Sequence, residues 1–583
     1  MNRHAQVQPS NVAEAFRPPA GDLKIIDKLL TRDVGAGPCP CPGGRPLGGA
    51  PTTAGNALRH YFLYDLKVAA TLLIALLALA LAACGQGKSQ APQTFDLEHE
   101  QPALVVSAAQ SDDGPLSIAA GDVNGDGHPD LIVGAAQADG PANSRPDCGE
   151  AYVIFGPAAQ GGTIDLAQDE PDVTILGADS EDRMGFSAAA GDVNGDGIDD
   201  ILLGAPLADG PANDRPQAGE VYVILGSPSL EPAIDLALGQ QALTLFGAEE
   251  EDRLGISVTA GDVNGDGRAD VLAGAFLADG PDNARYQAGE AYLLLGGPSL
   301  GGARDVAQGE YDLAIIAADE DDQLGYAVAT GDLNADGIGD LIIGAFRADG
   351  PGNARNDTGE AYVIFGSRAL GGVLDLASAP ANLAVTGAHD EDDLGAAVAS
   401  GDVNGDGVDD LLLGAPRADG PDDTRDRAGE AYVVFGSASL QGSVDIDRAE
   451  QDVTILGADP GDRLGLALAG DDIDGDGIGD VVLGAEGGDG PENDRENAGE
   501  AHVIPGSASP EPMVDIALSG THGAIFGELT GDRFGGRVAA ADWDGDGRAD
   551  VLAITHNAGS VDAPGRGGRA YVISVGPRLR DSR

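Results

Sequence analysis

The chain has 583 residues, of which 96 are acidic and 33 are Lys or Arg, so its formal net charge is −63. A surface this acidic does not attract nucleic acid phosphates, so we expect no nucleic-acid partner and favour cationic ones. The hydrophobic content of 42% is enough for a packed core, and 90 glycines fit a fold rich in tight turns.

The first 100 residues predict export and anchoring. Residues 1–58 are expected to be a disordered leader or a mis-assigned start. Residues 59–84 have the basic, apolar and small-residue order of a signal peptide, with an apolar stretch shorter than the ~20 residues of a spanning helix. Their ending, Leu81-Ala82-Ala83-Cys84, resembles a bacterial lipobox, which implies lipid on Cys84 and a place in the envelope, at the outer membrane or cell surface. An uncleaved anchor helix is the alternative, and residues 85–100 are predicted to be a linker.

Seven copies of an acidic loop, D-x-[ND]-x-D-G-x-x-D, recur every 70 residues. Positions 1, 3, 5 and 9 carry side-chain oxygens, position 7 is expected to offer its backbone carbonyl, and Gly at position 6 permits a sharp turn. This pattern is typical of calcium loops, so we expect about seven structural Ca²⁺ ions. The predicted ligands are Asp122, Asn124, Asp126, His128, Asp130; Asp192, Asn194, Asp196, Ile198, Asp200; Asp262, Asn264, Asp266, Arg268, Asp270; Asp332, Asn334, Asp336, Ile338, Asp340; Asp402, Asn404, Asp406, Val408, Asp410; Asp472, Asp474, Asp476, Ile478, Asp480; and Asp542, Asp544, Asp546, Arg548, Asp550.

The loops differ at position 3. Five carry Asn there, whereas the last two carry Asp474 and Asp544 and so have four carboxylates, which predicts tighter calcium binding. An EF-hand is not expected, because position 12 of the first loop is Val133 inside a predicted strand. Acidic turns without metal are the alternative.

Each repeat also carries four short apolar stretches. In the second repeat they are Phe186–Ala190, Ile201–Gly204, Glu220–Leu225 and Val173–Gly177, all too short for helices. Seven four-stranded units over residues 101–577 predict an all-β, seven-bladed β-propeller, with the Ala- and Ser-rich first strand at the central axis. A linear solenoid is the alternative.

The two ends of the repeat region predict how the ring closes. Residues Ala103–Ala108 resemble Val173–Ala178, which come before the second loop, and the chain ends after a third-type strand, Ala570–Val575. The last blade therefore lacks a fourth strand that the N-terminal strand can supply, leaving 578–583 as a tail.

The motifs Leu394-Gly395…Gly401-Asp402…Gly414-Ala415-Pro416, and Phe534-Gly535, resemble FG-GAP repeats. Such repeats build the N-terminal propeller of integrin α subunits and propellers of many bacterial surface proteins. The resemblance implies calcium in the loops and ligands on the opposite face. Gly114-Pro115 and Ile554-Thr555-His556 depart from the pattern, and no leg domains follow here, so integrin-type heterodimers are not expected.

Loops on the opposite face repeat A-D-G-P-x-[ND]-x-R six times. Their arginines either staple the blades by pairing with an acid of their own loop or of the next blade, or form a ligand face; they are Arg145, Arg215, Arg285, Arg355, Arg425 and Arg495. The same loops are also candidates for a second, weaker metal site. Acid clusters such as Asp179–Asp182 precede each calcium loop, and the seventh blade lacks the arginine motif at His556–Gly568.

These observations together predict a lipid-anchored, calcium-binding cell-surface module for adhesion or protein binding. A calcium-dependent lectin or an envelope scaffold is the alternative, although aromatic residues for stacking sugars make up only 4% of the chain. We expect a protein or glycan ligand on the face opposite the calcium loops, and the membrane as a second partner through Cys84. The sequence has no paired acid and base, GxSxG or HExxH motif, so no enzymatic activity is expected.

Overall fold

The computed structural model describes residues 93–108, 114, 117–157, 162–421, 424–518, 522–555 and 567–575. Within these ranges the chain forms β-strands joined by turns and short 3₁₀ segments. Over the same ranges, no helix has the length and apolarity needed to cross a bilayer. The predicted leader, the signal peptide with Cys84 and the tail 578–583 lie outside the described residues.

Seven five-stranded sheets form the blades of a propeller. From the inner strand to the edge strand, they are blade 1, Ser117–Gly121, Asp130–Ala135, Glu150–Ile154, Val173–Leu176, Ala233–Asp235; blade 2, Ser187–Gly191, Asp200–Ala205, Glu220–Ile224, Leu243–Phe246, Gly302–Asp305; blade 3, Val258–Gly261, Asp270–Ala275, Glu290–Leu294, Leu313–Ile316, Gly372–Asp375; blade 4, Leu324–Gly331, Asp340–Ala345, Glu360–Ile364, Leu383–Thr386, Gly442–Asp445; blade 5, Ala397–Gly401, Asp410–Ala415, Glu430–Val434, Val453–Leu456, Met513–Asp515; blade 6, Ala467–Asp471, Asp480–Ala485, Glu500–Ile504, Gly523–Phe526, Gln93–Asp96; and blade 7, Phe534–Ala541, Asp550–Thr555, Arg569–Ile573, Leu104–Ser107, Gly162–Asp165. The described 3₁₀ segments are Pro141–Asn143, Pro211–Asn213, Leu236–Leu238, Pro281–Asn283, Val306–Gln308, Ile446–Arg448 and Pro491–Asn493.

The inner strands carry small residues because they meet around the axis. The inner strand of each blade contacts the inner strands of both neighbouring blades. A Cβ added to Gly121 would lie 2.5 Å from the Cβ of Ala190, so no larger side chain fits there. The second strands carry long aliphatic side chains, and every residue of Asp200–Ala205 is buried between blades. The predicted place of the small-residue strand is therefore confirmed.

The ring is closed as predicted. Leu104–Ser107 pairs antiparallel with Arg569–Ile573 and so supplies the fourth strand of blade 7. The inner strand of blade 1 contacts Phe534–Ala541 of blade 7. The seven-bladed propeller is confirmed, and the solenoid alternative is wrong.

The prediction of four strands per blade is wrong, because each blade has a fifth strand that comes from the next repeat. The edge strand of blade 1, Ala233–Asp235, lies in the chain between the third and fourth strands of blade 2 and pairs parallel with Val173–Leu176. This pairing covers N–H and C=O groups that the fourth strand would otherwise expose at an open edge.

The prediction of a linker over residues 85–100 is wrong from residue 93 onward. Gln93–Asp96 pairs parallel with Gly523–Phe526 and forms the edge strand of blade 6. The N-terminal segment therefore supplies both strands that the seventh repeat lacks, in the order in which every other repeat contains them. Residues 85–92 lie outside the described part of the chain.

Candidate metal loops and the opposite face

Each predicted calcium loop joins the inner strand of a blade to its second strand. Loop 1 runs from Gly121 to Asp130, and Val133 lies in the strand that follows, as the argument against an EF-hand requires. Because all inner strands run the same way around one axis, the seven loops gather at one end of the ring.

The acid at position 1 folds the loop around itself. Asp122 accepts hydrogen bonds from the backbone N–H groups of Gly125, Asp126 and Gly127 at 2.8–3.0 Å. Gly125 and Gly127 have φ values of 74° and 89°, which a residue with a Cβ adopts only with strain. The glycines at positions 4 and 6 of loop 1 therefore permit the turn that brings the oxygen-bearing side chains together.

The acid at position 9 is buried beneath the loop. Asp130 is fully buried and accepts hydrogen bonds from the backbone of Val123, Asn124 and Gly156. Burial raises its pKa to about 6, and the nearby charge of Asp126 adds to the rise. Burial likewise raises the pKa of Asp200, Asp270, Asp340, Asp410, Asp480 and Asp550 to about 6 or 7. Burial and mutual repulsion disfavour the charged form of these carboxylates, and a bound cation would stabilise that form.

The two loops with four carboxylates each bring three of those carboxylates close together. In loop 6, oxygens of Asp472, Asp474 and Asp476 lie within 4.8 Å of one another. Asp542, Asp544 and Asp546 are grouped within the same distance in loop 7. Among the described atoms, Oδ1 of Asp542 is buried without a hydrogen-bond partner. The donor set is all oxygen, which is what Ca²⁺ prefers, so the residues fit this ion.

Backbone hydrogen bonds connect successive loops around the ring. The N–H at position 8 of one loop donates to the carbonyl at position 1 of the preceding loop, at 2.8–3.2 Å. The six bonds run from Asp199 to Asp122, Ala269 to Asp192, Gly339 to Asp262, Asp409 to Asp332, Gly479 to Asp402 and Ala549 to Asp472. Stiffening one loop therefore also restrains its neighbours.

This series of bonds is interrupted between blades 7 and 1. Position 8 of loop 1 is Pro129, which has no N–H to donate. A second inter-blade bond, such as that from Ser227 N–H to the carbonyl of Val123, is also lost, because Pro157 occupies the equivalent place. The junction between blades 7 and 1, at which the ring closes, therefore has fewer inter-blade backbone hydrogen bonds than each successive junction in the series from blade 1 to blade 6.

A buried tryptophan fills that junction. Trp543, at position 2 of loop 7, is 2% exposed and packs with Leu131 and Ile154 of blade 1 and with Leu552 of blade 7. The equivalent residues of the other loops are smaller, namely Val123, Val193, Val263, Leu333, Val403 and Ile473. Apolar burial by the indole compensates for hydrogen bonds that the prolines remove.

On the opposite face, all six motif arginines pair with acids that lie 90 residues away or, for the last, at the N-terminus. Each acid ends the edge strand of the arginine's own blade, so each pair joins two repeats. The pairs are Arg145–Asp235 at 2.9 Å, Arg215–Asp305 at 2.9 Å, Arg285–Asp375 at 2.8 Å, Arg355–Asp445 at 3.0 Å, Arg425–Asp515 at 2.7 Å and Arg495–Asp96 at 2.8 Å. Each pair therefore lies within one blade, whereas the stapling interpretation expected an acid of the arginine's own loop or of the next blade. A ligand role for the arginines stays a prediction.

Breaking one such pair is expected to destabilise the ring. Arg425 and Asp515 share two hydrogen bonds, and this contact lowers the pKa of Asp515. Arg425→Met and Asp515→Asn should each reduce the free energy of unfolding by about 1.5–3 kcal/mol, the value of a hydrogen bond to a charged group. Urea denaturation of the single and double variants measures their coupling. A coupling near zero contradicts the staple. Arg448→Met, which removes only the exposed partner of Asp445, is the weak-pair control and should change the free energy of unfolding little.

The acid clusters before the predicted calcium loops place one carboxyl in the interior of each of blades 2 to 6. Asp182 is 5% exposed, and its carboxylate accepts a hydrogen bond from the backbone of Asp179. Burial raises its pKa to about 8, and Glu220, Asp179 and Asp209 add to the rise. Burial also raises the pKa of Asp252, Asp322, Asp392 and Asp462 to about 7. Sequence reasoning placed these acids in a surface loop and missed their burial.

These buried carboxyls predict that stability falls as pH rises. A carboxyl with a raised pKa in the folded state stabilises the fold while protonated, and that contribution is lost as pH rises through the folded pKa. At saturating Ca²⁺, the midpoint of thermal unfolding should be higher at pH 6 than at pH 8. Asp182→Asn and Asp252→Asn should flatten this dependence. A midpoint that rises over the same range contradicts the prediction.

On the face opposite the predicted calcium loops, residues at the start of the inner strands line a cavity. It has a volume of about 240 Å³ and receives residues from all seven blades. Tyr326 at its edge packs against Phe276 and Phe346, with ring centroids 5.6 and 4.4 Å apart. Arg537 lies in the wall where Ser117, Ser187 and Ser257 occupy the equivalent positions of other blades. The mouth of the axis is therefore asymmetric, with an aromatic cluster on blades 3 and 4.

Known proteins share these repeats. The FG-GAP repeat model matches residues 114–154, 184–224, 254–294, 324–364 and 394–434. Integrin alpha pat-2 of Caenorhabditis elegans is 32% identical over 248 residues, covering 40% of this chain and 18% of that protein. Phosphatidylinositol-glycan-specific phospholipase D of Bos taurus is 36% identical over 261 residues, covering 45% of this chain and 27% of that protein. The seven blades and their repeats define an integrin α-like β-propeller.

The chain carries FG-GAP repeats at these five places, and it spans less than a third of either relative. Among solved structures, the exotype rhamnogalacturonan lyase YesX aligns with 81% of this chain and 76% of its own at 11% identity. Its TM-score of 0.39 marks a likeness too distant to bear on function.

Proposed function

We propose that this protein is a calcium-stiffened, lipid-anchored module of the cell surface that binds a protein partner on the face opposite the calcium loops. The observation that carries the proposal is the separation of two ends: oxygen-rich loops at one end, and an asymmetric cavity edged by aromatic side chains at the other. The integrin relatives support the same class of function.

The calcium loops supply rigidity. Positions 1, 3, 5 and 9 of each loop would hold the ion through side-chain oxygens, with the carbonyl of position 7. A bound divalent cation neutralises carboxylates that otherwise repel one another. Because the loops are hydrogen-bonded in series, the ions together would fix the spacing of the blades and hence the shape of the binding face.

The aromatic cluster on blades 3 and 4 is the proposed contact surface. Phe276, Tyr326 and Phe346 are half-buried, so they offer apolar area on a rigid support. Aromatic side chains of this kind dominate the binding energy of many protein interfaces. The acidic surface around them favours a partner with basic groups.

Residues 89–583, which form one compact unit, can be immobilised to capture partners from envelope extracts. A specific polypeptide should be retained with Ca²⁺, released by EGTA, and lost with the Tyr326→Ala/Phe346→Ala double variant. Leu238→Ala, at an exposed residue outside the cavity, is the control. Retention that ignores both calcium and the double variant contradicts the proposal. Glycan-array binding without a protein partner would instead favour the lectin alternative.

The lipid anchor has its own test. Cys84 lies outside the described residues, and its proposed lipidation rests on the signal-peptide motif alone. Cys84→Ala should move the protein from the membrane pellet to the soluble fraction on ultracentrifugation. Cys148→Ala, at a buried cysteine, is the control and should leave the distribution unchanged. A Cys84→Ala protein that still sediments with membranes contradicts the anchor.

An enzymatic role is the other function that the relatives raise, through their phospholipase D members. This chain covers only 27% of the bovine phospholipase D, and the integrin-like propeller fits a non-enzymatic role. We therefore keep binding as the proposed function.

A further inference from the structure

A cavity of about 430 Å³ lies between blades 5 and 6. Its walls are aliphatic, and the segment Pro505–Pro510 borders it on one side, while the exposed residues Ser509 and Glu511 stand at its rim. The wall residues come from both blades and include Val403, Val433, Val453, Val481 and Ile504.

The neighbouring interface shows one way in which larger side chains fill this space. Between blades 4 and 5, Leu333, Leu383, Leu411 and Leu440 pack in one apolar cluster. Seventy residues later, the same four places are occupied by Val403, Val453, Val481 and Pro510. Four leucines are thus replaced by smaller or differently shaped residues at one interface, and the cavity lies among their replacements.

The most telling of these four places is residue 510. The equivalent residues in repeats 2 to 5 are all leucines, and each packs into an interface cluster: Leu230, Leu300, Leu370 and Leu440. Pro510 has no comparable side chain to insert. At the other interfaces this space is filled by a leucine side chain. A branched aliphatic group is therefore the kind of group that would fit beside Pro510.

We propose that this cavity binds a small, uncharged, apolar molecule, such as a branched aliphatic compound or a substituted benzene. Protein interiors are close-packed, and ligand pockets of 300–1,000 Å³ with apolar walls are typical small-molecule sites. Apart from the rim residue Glu511, the lining residues carry no charge, so an ionised ligand would lose its hydration without compensation. Ser507 and Ser509 can hydrogen-bond one polar group of the ligand at the entrance.

Toluene is a suitable probe, tested on the full-length calcium-loaded protein by thermal unfolding and, as fluorobenzene, by ¹⁹F NMR. We expect a saturable rise in the unfolding midpoint of the native protein. Pro510→Leu should raise the midpoint without the probe and weaken probe binding at least tenfold. Leu440→Pro should do the reverse, by opening a second site between blades 4 and 5. Val453→Leu fills the cavity from the facing blade and serves if Pro510→Leu does not fold.

Three results would overturn the proposal. The first is the absence of any saturable effect of toluene or fluorobenzene on the native protein. The second is probe binding that is unchanged in Pro510→Leu or Val453→Leu, because the probe would then bind elsewhere. Binding of a leucine-bearing peptide without binding of either small probe would also overturn it, in favour of a protein partner at this place. The inference does not depend on the proposed function, since none of its residues lies at the aromatic face.

Discussion

Removing calcium should lower the midpoint of thermal unfolding of residues 89–583 by an amount on the order of 10 °C or more. Each site adds RT ln(1 + [L]/Kd) to stability, about 2.7 kcal/mol when calcium is at a hundredfold excess over Kd, and seven loops contribute. The loss follows from carboxylates such as Asp122 and Asp130, which repel their neighbours once the ion is gone. Differential scanning calorimetry with Ca²⁺, with EGTA and after calcium is restored measures the effect. An unchanged midpoint in EGTA contradicts a structural role for calcium.

The loops provide a matched control for this experiment. Asp474→Asn gives loop 6 the same side-chain ligand types as the first five loops, so calcium should bind that loop more weakly while the number of sites stays the same. Isothermal titration calorimetry separates the two quantities. A loss of the site altogether would show that three carboxylates and one amide do not suffice.

Truncating Trp543 should be the most damaging single substitution outside the loop ligands. Trp543→Ala is expected to reduce the free energy of unfolding by about 3–5 kcal/mol, because it opens a cavity at the junction between blades 7 and 1. That junction lacks the inter-blade bonds that Pro129 and Pro157 cannot donate. Urea denaturation followed by circular dichroism measures the change, since the chain has one tryptophan and the variant loses its fluorescence signal.

The control is Val193→Ala, at the same loop position between blades 2 and 3. It removes fewer atoms from an interface that keeps its backbone bonds, so its cost should be smaller, about 2 kcal/mol. Equal costs for the two substitutions would contradict the special role of the tryptophan at the closing junction.

The architecture was predictable because its signals are local and repeated. The 70-residue spacing, the strands around Ser187–Gly191 and the spare strand at Leu104–Ser107 all appear as short patterns in the sequence. The fifth strand was not predicted, because it is three or four residues long and pairs with a different repeat. A signal did exist: Phe95-Asp96-Leu97 has the same form as Ile234-Asp235-Leu236, so the N-terminal edge strand could have been recognised as part of a repeat.

The candidate site also has some features that the sequence predicts and others that it does not. Ligand spacing placed the calcium loops between the first and second strands, because spacing along the chain decides what one turn brings together. The partners of the arginines depend on the register between repeats. An acid of the same loop or of the next blade was expected, and Asp235, on the edge strand of the same blade, could not be singled out for Arg145. The burial of Asp182 likewise could not be predicted from the sequence, because it depends on how neighbouring blades cover the loop.

The borrowing of edge strands has a consequence for biosynthesis. A blade emerging from the ribosome has no complete outer edge until the following repeat has been made. The segment from Gln93 to Ser107 is translated before any repeat, yet its partners, Gly523–Phe526 and Arg569–Ile573, come last. Its backbone groups therefore pair only after nearly the whole chain has been made, and any factor that shields newly made polypeptides would have its greatest effect on this first segment.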